Sequence, residues 1–228
     1  AETQVEDYLC PSPCYAIVGR RMRRGGPVAS SYGEDASKSA LRDGYLAVQH
    51  GMTPSHKRRV DADILRHLSS FKAYRSAPLI LAYYPCRGEI DVMPVIKRAL
   101  ADGRRVALPR HVGGESSLEF RVISTLDGLV AGACGALEPP AWLGEPVVDV
   151  GELRDAVCLV PGLVFDARGY RIGYGAGYYD NFLVGFGGLK LGLVRALQIS
   201  GNPLPIDGHD IAVDVLVSES AIWRCHRD

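Results

Sequence analysis

Short unbroken apolar runs alternate in this chain with longer segments of helical periodicity, and that alternation restricts the fold more than any single motif. Leu79 to Tyr84, Val106 to Leu108, Ala156 to Val164, Leu189 to Val194 and Ile211 to Val217 are short, continuous and apolar, as buried strands are. Pro109 is expected to end the second run, Pro161 interrupts the third, and the final two runs are expected to be the last two strands. Leu118 to Ile123 reads as one strand of an edge hairpin. A helix is expected to begin near Asp35 or Ser37, either of which can cap it, and to run through Leu41, Tyr45 and Leu46 towards His50. Thr53 as N-cap with Pro54 at the first helical position opens a second. Its Val60, Ile64, Leu68 and Phe71 share one face, leaving Arg58, Arg59, Asp61 and Arg66 to water. Asp91 can cap a third, containing Ile96 and Leu100 and stopping at Asp102-Gly103. Strands separated by helices give the α/β class: a mainly parallel sheet flanked by helices on both faces, in three layers. Ligands of such sheets bind in the crevice beyond the carboxyl ends of the strands.

A length of 228 residues suits one large domain with an appended arm. Residues 1 to about 36 lack periodicity and carry Pro11, Pro13, Gly25, Gly26 and Pro27, so they read as an irregular N-terminal extension to a domain over 37–228. Lys and Arg number 26, as do Asp and Glu, and a zero formal charge points to neither nucleic acid nor an anionic membrane. The Arg20, Arg21, Arg23 and Arg24 cluster is preceded by Glu2, Glu6 and Asp7, which is unlike a transit peptide and reads as a solvated arm. Cys10 and Cys14 have no second ligand pair at zinc-like spacing. With Cys86, Cys134, Cys158 and Cys225 they fit reduced, buried positions of a cytoplasmic protein. No stretch of about 18 apolar residues suggests a membrane span.

The segment with most chemical content runs from Gly169 to Asp180. Gly173, Gly175 and Gly177 alternate in it, after an apolar strand and before a helix start at Tyr178-Tyr179-Asp180-Asn181-Phe182-Leu183. Glycines let a ligand approach backbone N–H groups, and N–H groups at a helix start cradle phosphate. Arg171 would add a fixed positive charge. The pattern is neither the dinucleotide fingerprint nor the Walker loop, and by itself it is equally a structural turn. Asp180 beside phosphates suits magnesium, which takes one or two carboxylates plus phosphate and water oxygens; it also suits the positive end of a helix. Asp214 stands inside an apolar strand-like run, where a carboxylate needs a partner or a metal. His209 and Asp210 stand close before it.

Taken together these segments resemble the 5-formyltetrahydrofolate cyclo-ligase family from about Lys38 to Glu219. The resemblance is carried most specifically by Leu159-Val160-Pro161-Gly162-Leu163-Val164-Phe165-Asp166 followed by Arg171 through Asp180. Lys38 to Arg42, Glu89-Ile90-Asp91, Gly135-Ala136-Leu137-Glu138-Pro139, and Leu204-Pro205 through His209-Asp210 to Asp214 agree in order. The resemblance implies a cyclo-ligase architecture with nucleotide and folate meeting at one cleft, and ATP and Mg²⁺ as cofactors. Lys38 and Arg42, four apart and therefore on one helix face, would contact the ATP phosphates. Arg171, Gly173, Tyr174, Gly175, Ala176, Gly177, Tyr178 and Tyr179 would form the nucleotide loop, with Tyr174 and Tyr178 also bordering the folate. Tyr84, Glu89 and Glu138 would bind substrate, and Asp180 and Asp214 would be the magnesium-associated acids. Two positions depart: Arg195 stands where an aromatic is common in the family, and Leu118 where methionine is frequent.

The implied reaction converts 5-formyltetrahydrofolate, polyglutamylated or not, to 5,10-methenyltetrahydrofolate in a monomer that needs neither nucleic acid nor membrane. The formyl oxygen takes the γ-phosphoryl group, N10 attacks the activated carbon, and phosphate leaves. Such chemistry asks the protein for alignment and charge stabilisation, supplied by Lys38, Arg42, Arg171 and Asp180, and not for a nucleophilic Ser or Cys. Three other readings stand beside it: a folate- or nucleotide-binding regulator without turnover, a sugar-phosphate isomerase of similar architecture acting without ATP, and an RNA-binding protein using the arginine arm.

Overall fold

Among residues 37–113, 116–132 and 135–226, which the computed structural model describes, two helices start where their capping residues stand. Ser37 accepts from the Ala40 N–H at the head of α1 (Lys38–Gly51), and Thr53 accepts from the His56 N–H at the head of α2 (Pro54–Ser70). Phe71 ends α2, and a short α3 (Lys72–Ser76) follows. The helix expected after Asp91 is α4 (Met93–Ala101). Val92 takes the cap position, while the Asp91 carboxylate accepts from the Met93 N–H at 3.0 Å. The last helix is α5 (Tyr178–Gly185), entered through Gly177 in the left-handed region. The expected N-terminal extension at 1–36, with Asp35, its arginine cluster and Cys10 and Cys14, lies outside the described residues, as does Cys134.

The strands are β1 (Leu79–Leu81), β2 (Arg105–Val112), β3 (Ser117–Ile123), β4 (Val130–Ala131), β5 (Leu137–Glu138), β6 (Glu145–Pro146), β7 (Val157–Val160), β8 (Val164–Phe165), β9 (Arg171–Ile172), β10 (Leu189–Leu193), β11 (Val215–Val217) and β12 (Ile222–Arg224). Eight of them form one sheet in the order β12-β11-β10-β7-β1-β2-β3-β6, while β4–β5 and β8–β9 form two small hairpins. The pairs among β2, β1, β7, β10 and β11 are parallel, and β12, β3 and β6 add antiparallel pairs at the margins. Burial on both faces explains why the central strands read as continuous apolar runs. Ile80 and Ala82 pack with Ile64 and Leu68 of α2 and Ile96 of α4, whereas Leu79 and Leu81 pack with Leu183 of α5 and Phe186. A third cluster seats Leu41 and Tyr45 of α1 on Val164 and Ile172 of the β8–β9 hairpin. No helix among the described residues is long and apolar enough to cross a membrane.

Several local expectations are corrected by the tertiary arrangement. Pro109 does not end β2, which continues to Val112. Ala107 turns its carbonyl to Ala82 on the β1 side, and Pro109 has the same parity, so its missing N–H falls beyond the end of β1, where no ladder bond is needed. The hairpin strand β3 is not the edge, because Glu145-Pro146 pairs outside it. The run from Ile211 becomes strand only at Val215, and the final strand is Ile222–Arg224. Of the cysteines described, Cys158 is buried, Cys86 and Cys225 are half-exposed, and none forms a disulfide.

Two glycines are fixed by Phe165, whose side chain is 0% exposed. A Cβ on Gly162 would stand 2.6 Å from its ring, and one on Gly192 would stand 2.8 Å away. Phe165→Ala is therefore expected to lower stability by about 3–5 kcal/mol, because removing a fully buried ring leaves a cavity that its neighbours fill only in part. A urea titration checks this: the midpoint should fall with the slope unchanged.

Candidate active site

The parallel strands run β2-β1-β7-β10-β11 across the sheet. The chain leaves β1 towards β2 on one side and returns through β7 on the other, so the topological switch point lies between β1 and β7, where open α/β sheets bind ligands. A cleft of about 520 Å³ opens there. Tyr83, Tyr84 and Glu89 reach it from the segment after β1, and Pro161 and Gly162 from the segment after β7. Every residue singled out in the sequence as a site candidate lines this cleft except Asp214.

One wall is cationic. Lys38 and Arg42 stand one turn apart on α1. The Arg42 Nε donates to the Gly173 carbonyl at 2.9 Å. Gly175, at φ +100, passes so close that a Cβ there would lie 3.5 Å from the guanidinium carbon. A left-handed φ at both Gly175 and Gly177 is what lets the loop turn into α5. Lys38 reaches across to Asp207 at 2.6 Å and also bonds Asp210. Burial acts to lower the Lys38 ammonium, but the bonds to these two carboxylates prevail and hold it above its ordinary value.

Arg171 is delivered by the β8–β9 turn, whose folding depends on Asp166. That buried carboxylate accepts from the Arg168 and Tyr170 N–H groups at 3.0 and 3.1 Å and from the Leu204 N–H at 2.9 Å. The Arg171 side chain is 5% exposed and meets the Asp180 Oδ1 at 3.1 Å. Its Nη1 also donates to the Ile211 carbonyl at 2.7 Å, and the Ile211 N–H returns a bond to Asp180 at 3.1 Å. Burial draws the guanidinium below its ordinary value, against the pull of Asp180. Thus Asp180, in the first turn of α5, fixes the direction of a buried cation at the cleft wall.

The rest of the lining carries carboxyl and aromatic groups. The Glu89 Oε2 accepts from the Cys86 N–H at 2.9 Å, and burial pushes its carboxyl up despite that bond. The Glu138 Oε2 meets His111 Nδ1 at 2.7 Å, and the same oxygen accepts from the His111 N–H at 3.2 Å. The His111 ring stands edge-on to Tyr178, with centroids 4.5 Å apart. Tyr174 donates to the Arg87 carbonyl at 3.0 Å, and burial pushes its phenol up to about 12. Leu118, cross-strand from His111, and Tyr84 complete this lining.

The fit of the site to nucleotide and metal can be read from its donors. Lys38, Arg42, Arg171 and the loop ahead of α5 offer cations and backbone amides to phosphate. Tyr179 lines the cleft but buries its hydroxyl in the protein, with no hydrogen-bond partner among the described residues. Asp180 lies at the cleft, and Asp207, His209 and Asp210 bring ligand atoms within 4.8 Å of one another at its rim; carboxylate oxygens of this kind suit Mg²⁺. Asp214 does not join them. It precedes β11 instead of lying within it, accepts from the Lys190 N–H at 2.8 Å and pairs with the Lys190 Nζ at 3.2 Å. A cross-strand lysine supplies the partner that the sequence reading assigned to a metal. His111, Arg87 and Asp207 are site residues that the sequence reading missed. His111 sits beyond Pro109, where the strand was expected to have ended, and Asp207 is an ordinary loop acid until α1 packs beside it.

Residues 34–219 match the 5-formyltetrahydrofolate cyclo-ligase family. A 5-formyltetrahydrofolate cyclo-ligase of Mycolicibacterium smegmatis is 33% identical over 184 residues, covering 78% of this chain and 91% of the relative. One from Escherichia coli is 25% identical, covering 77% and 97%. The solved structure of Aquifex aeolicus 5,10-methenyltetrahydrofolate synthetase superposes with a TM-score of 0.72 at 30% identity, over 84% of this chain and 94% of that one.

Proposed function

Because this chain belongs to the 5-formyltetrahydrofolate cyclo-ligase family, we propose that it closes 5-formyltetrahydrofolate to 5,10-methenyltetrahydrofolate in the cleft between β1 and β7, using ATP and Mg²⁺. Cyclo-ligase activity is the chain's function. The residues and cofactors that perform it are our reading. The observation that carries this reading is a single cleft lined both by the cations Lys38, Arg42 and Arg171 and by Glu89, Glu138 and several tyrosines.

When bound, ATP and Mg²⁺ would supply a phosphoryl group that makes the formyl oxygen a good leaving group, together with shielding of its charge. The protein's own part is placement. Lys38, Arg42 and the amides around Gly175 hold phosphate oxygens, and Arg171 faces them with its direction set by Asp180. Lys38 would give up its carboxylate partners to hold phosphate, and Asp207 and Asp210, with Asp180 also at the cleft, would then be the acids available to hold the metal. Glu89 and Glu138 accept hydrogen bonds from the folate ring system, Glu138 being held in place by His111. Tyr84, Tyr174 and Tyr178 enclose the ring and keep water from the activated carbon.

The test is absorbance in the methenyl-folate band after mixing folded protein with 5-formyltetrahydrofolate, Mg²⁺ and ATP. A rise that requires ATP is expected. Folate or nucleotide binding without any rise would instead favour the regulator reading.

A further inference from the structure

The loop carrying Glu89 lies in no helix or strand, yet its backbone is tied at every step by side chains from elsewhere. The Arg87 carbonyl accepts from the Tyr174 hydroxyl at 3.0 Å. The Gly88 carbonyl accepts from Arg195 Nη1 at 3.0 Å and the Glu89 carbonyl from Arg195 Nη2 at 3.2 Å. The Ile90 carbonyl accepts from the Tyr83 hydroxyl at 3.1 Å, and the Asp91 N–H donates to Asp61 Oδ2 at 3.2 Å. Five consecutive residues are thus tied around a turn that the Glu89 N–H closes on the Cys86 carbonyl at 2.9 Å, in which the non-glycine Arg87 takes a φ of 48°.

Two of the five ties come from one guanidinium. Arg195 is 1% exposed and forms a bidentate pair with Asp61 of α2, Nε to Oδ1 at 2.7 Å and Nη2 to Oδ2 at 2.9 Å. Its Nη1 also bonds Gln198 Oε1 at 3.2 Å, and the Gln198 amide donates to the Leu163 carbonyl at 2.8 Å. The next residue, Ala196, is anchored through its N–H to the Glu219 carboxylate at 2.9 Å. The fork is therefore fixed from three sides before it reaches the loop. A buried arginine with all these partners satisfied is a device for geometry more than for stability, because an apolar core of the same volume is commonly as stable.

We propose that Arg195 and Asp61 act as positioning residues for the cyclo-ligase reaction, setting the backbone of residues 87–91 so that Glu89 meets the folate. The inference rests on the reading of the cleft given above. Neither residue lines the cleft; both act through the loop. Lysine at 195 keeps the charge but cannot form the planar fork that spans Asp61 and two carbonyls at once. The effect should fall on the folate half of the cleft, because the Arg42 and Arg171 contacts share no partner with Arg195.

The experiment pairs steady-state kinetics with hydrogen exchange on Arg195→Lys, which keeps the charge pair, and on Asp61→Asn, which breaks it. In Arg195→Lys the KM for 5-formyltetrahydrofolate should rise about tenfold or more while the KM for ATP moves less than about twofold, as expected when one group is displaced by a fraction of an ångström. Amides of residues 86–91 should exchange at least about tenfold faster with those of β7 and β10 unchanged, the mark of a local opening. Asp61→Asn should shift both readings in the same direction and by at least as much, because it leaves the buried guanidinium without its countercharge. Loop amides as protected as in the wild type, or two KM values moving together in proportion to lost folded protein, would overturn the proposal. Absence of turnover in the wild type would sink the functional reading, and the exchange rates of the loop would still decide whether Arg195 positions it.

Discussion

Replacing Asp180 by alanine is expected to reduce turnover by about 100-fold or more, the scale of losing a preorganised electrostatic contact at a reacting centre. The expectation rests on what Asp180 holds. Its Oδ1 faces Arg171 and accepts from the Ile211 N–H, so its removal frees the direction of a guanidinium that has almost no exposure to water. The same change should lower stability by about 3 kcal/mol, because one member of a buried ion pair remains without its countercharge. A double-mutant cycle separates the two effects. Asp180→Ala combined with Arg171→Met should regain stability relative to Asp180→Ala alone, since the orphaned charge is gone, while turnover stays low. Near-normal activity of Asp180→Ala with unchanged magnesium dependence would remove Asp180 from the site.

Glu89→Gln should give the opposite relation between activity and stability. The KM for 5-formyltetrahydrofolate should rise about 10- to 100-fold, as when a charged hydrogen-bond partner is neutralised, with the KM for ATP little changed. Stability at neutral pH should nevertheless increase. Burial raises the Glu89 carboxyl above 4.5 in the folded protein, so folding favours its protonated form. This favourable contribution is present in acid and is lost as pH rises from 4.5 through the raised value. Above that range the wild type holds a charge in a partly buried site that the amide lacks. Thermal unfolding should show Glu89→Gln the more stable protein at pH 7 and the difference shrinking towards pH 4. Equal stability at both pH values would show that the carboxylate is adequately solvated in the empty cleft.

The elements most legible in the sequence were those whose signals are local. Ser37 and Thr53 mark their helix starts because a short hydroxyl side chain satisfies an N–H a few bonds away. The central strands read as continuous apolar runs because both their faces are covered, by α2 and α4 on one side and α5 on the other. The glycine segment announced a backbone that must turn tightly into a helix, and Gly175 and Gly177 do take left-handed φ values there. Lys38 and Arg42 could be assigned to one side of a helix from their spacing, and both line the cleft.

What could not be read locally was the identity of partners. Asp61 looked like a wet-face residue of α2 because charged side chains usually meet solvent; it is buried against an arginine 134 residues away. Asp214 stood out because an acid among apolar neighbours needs a partner or a metal, the metal being what the resemblance implied; the tertiary structure pairs it with Lys190 across the sheet. His111 was invisible because whether Pro109 ends a strand depends on which neighbour its missing N–H would face. By itself the sequence determined the class of fold, the helix starts, the cleft-forming loops and the family resemblance, all of which follow from patterns within a few residues of one another. Only the tertiary structure decided which charges meet and which reach the cleft, because a buried ion pair is set by the packing of distant elements and leaves no periodicity in the chain.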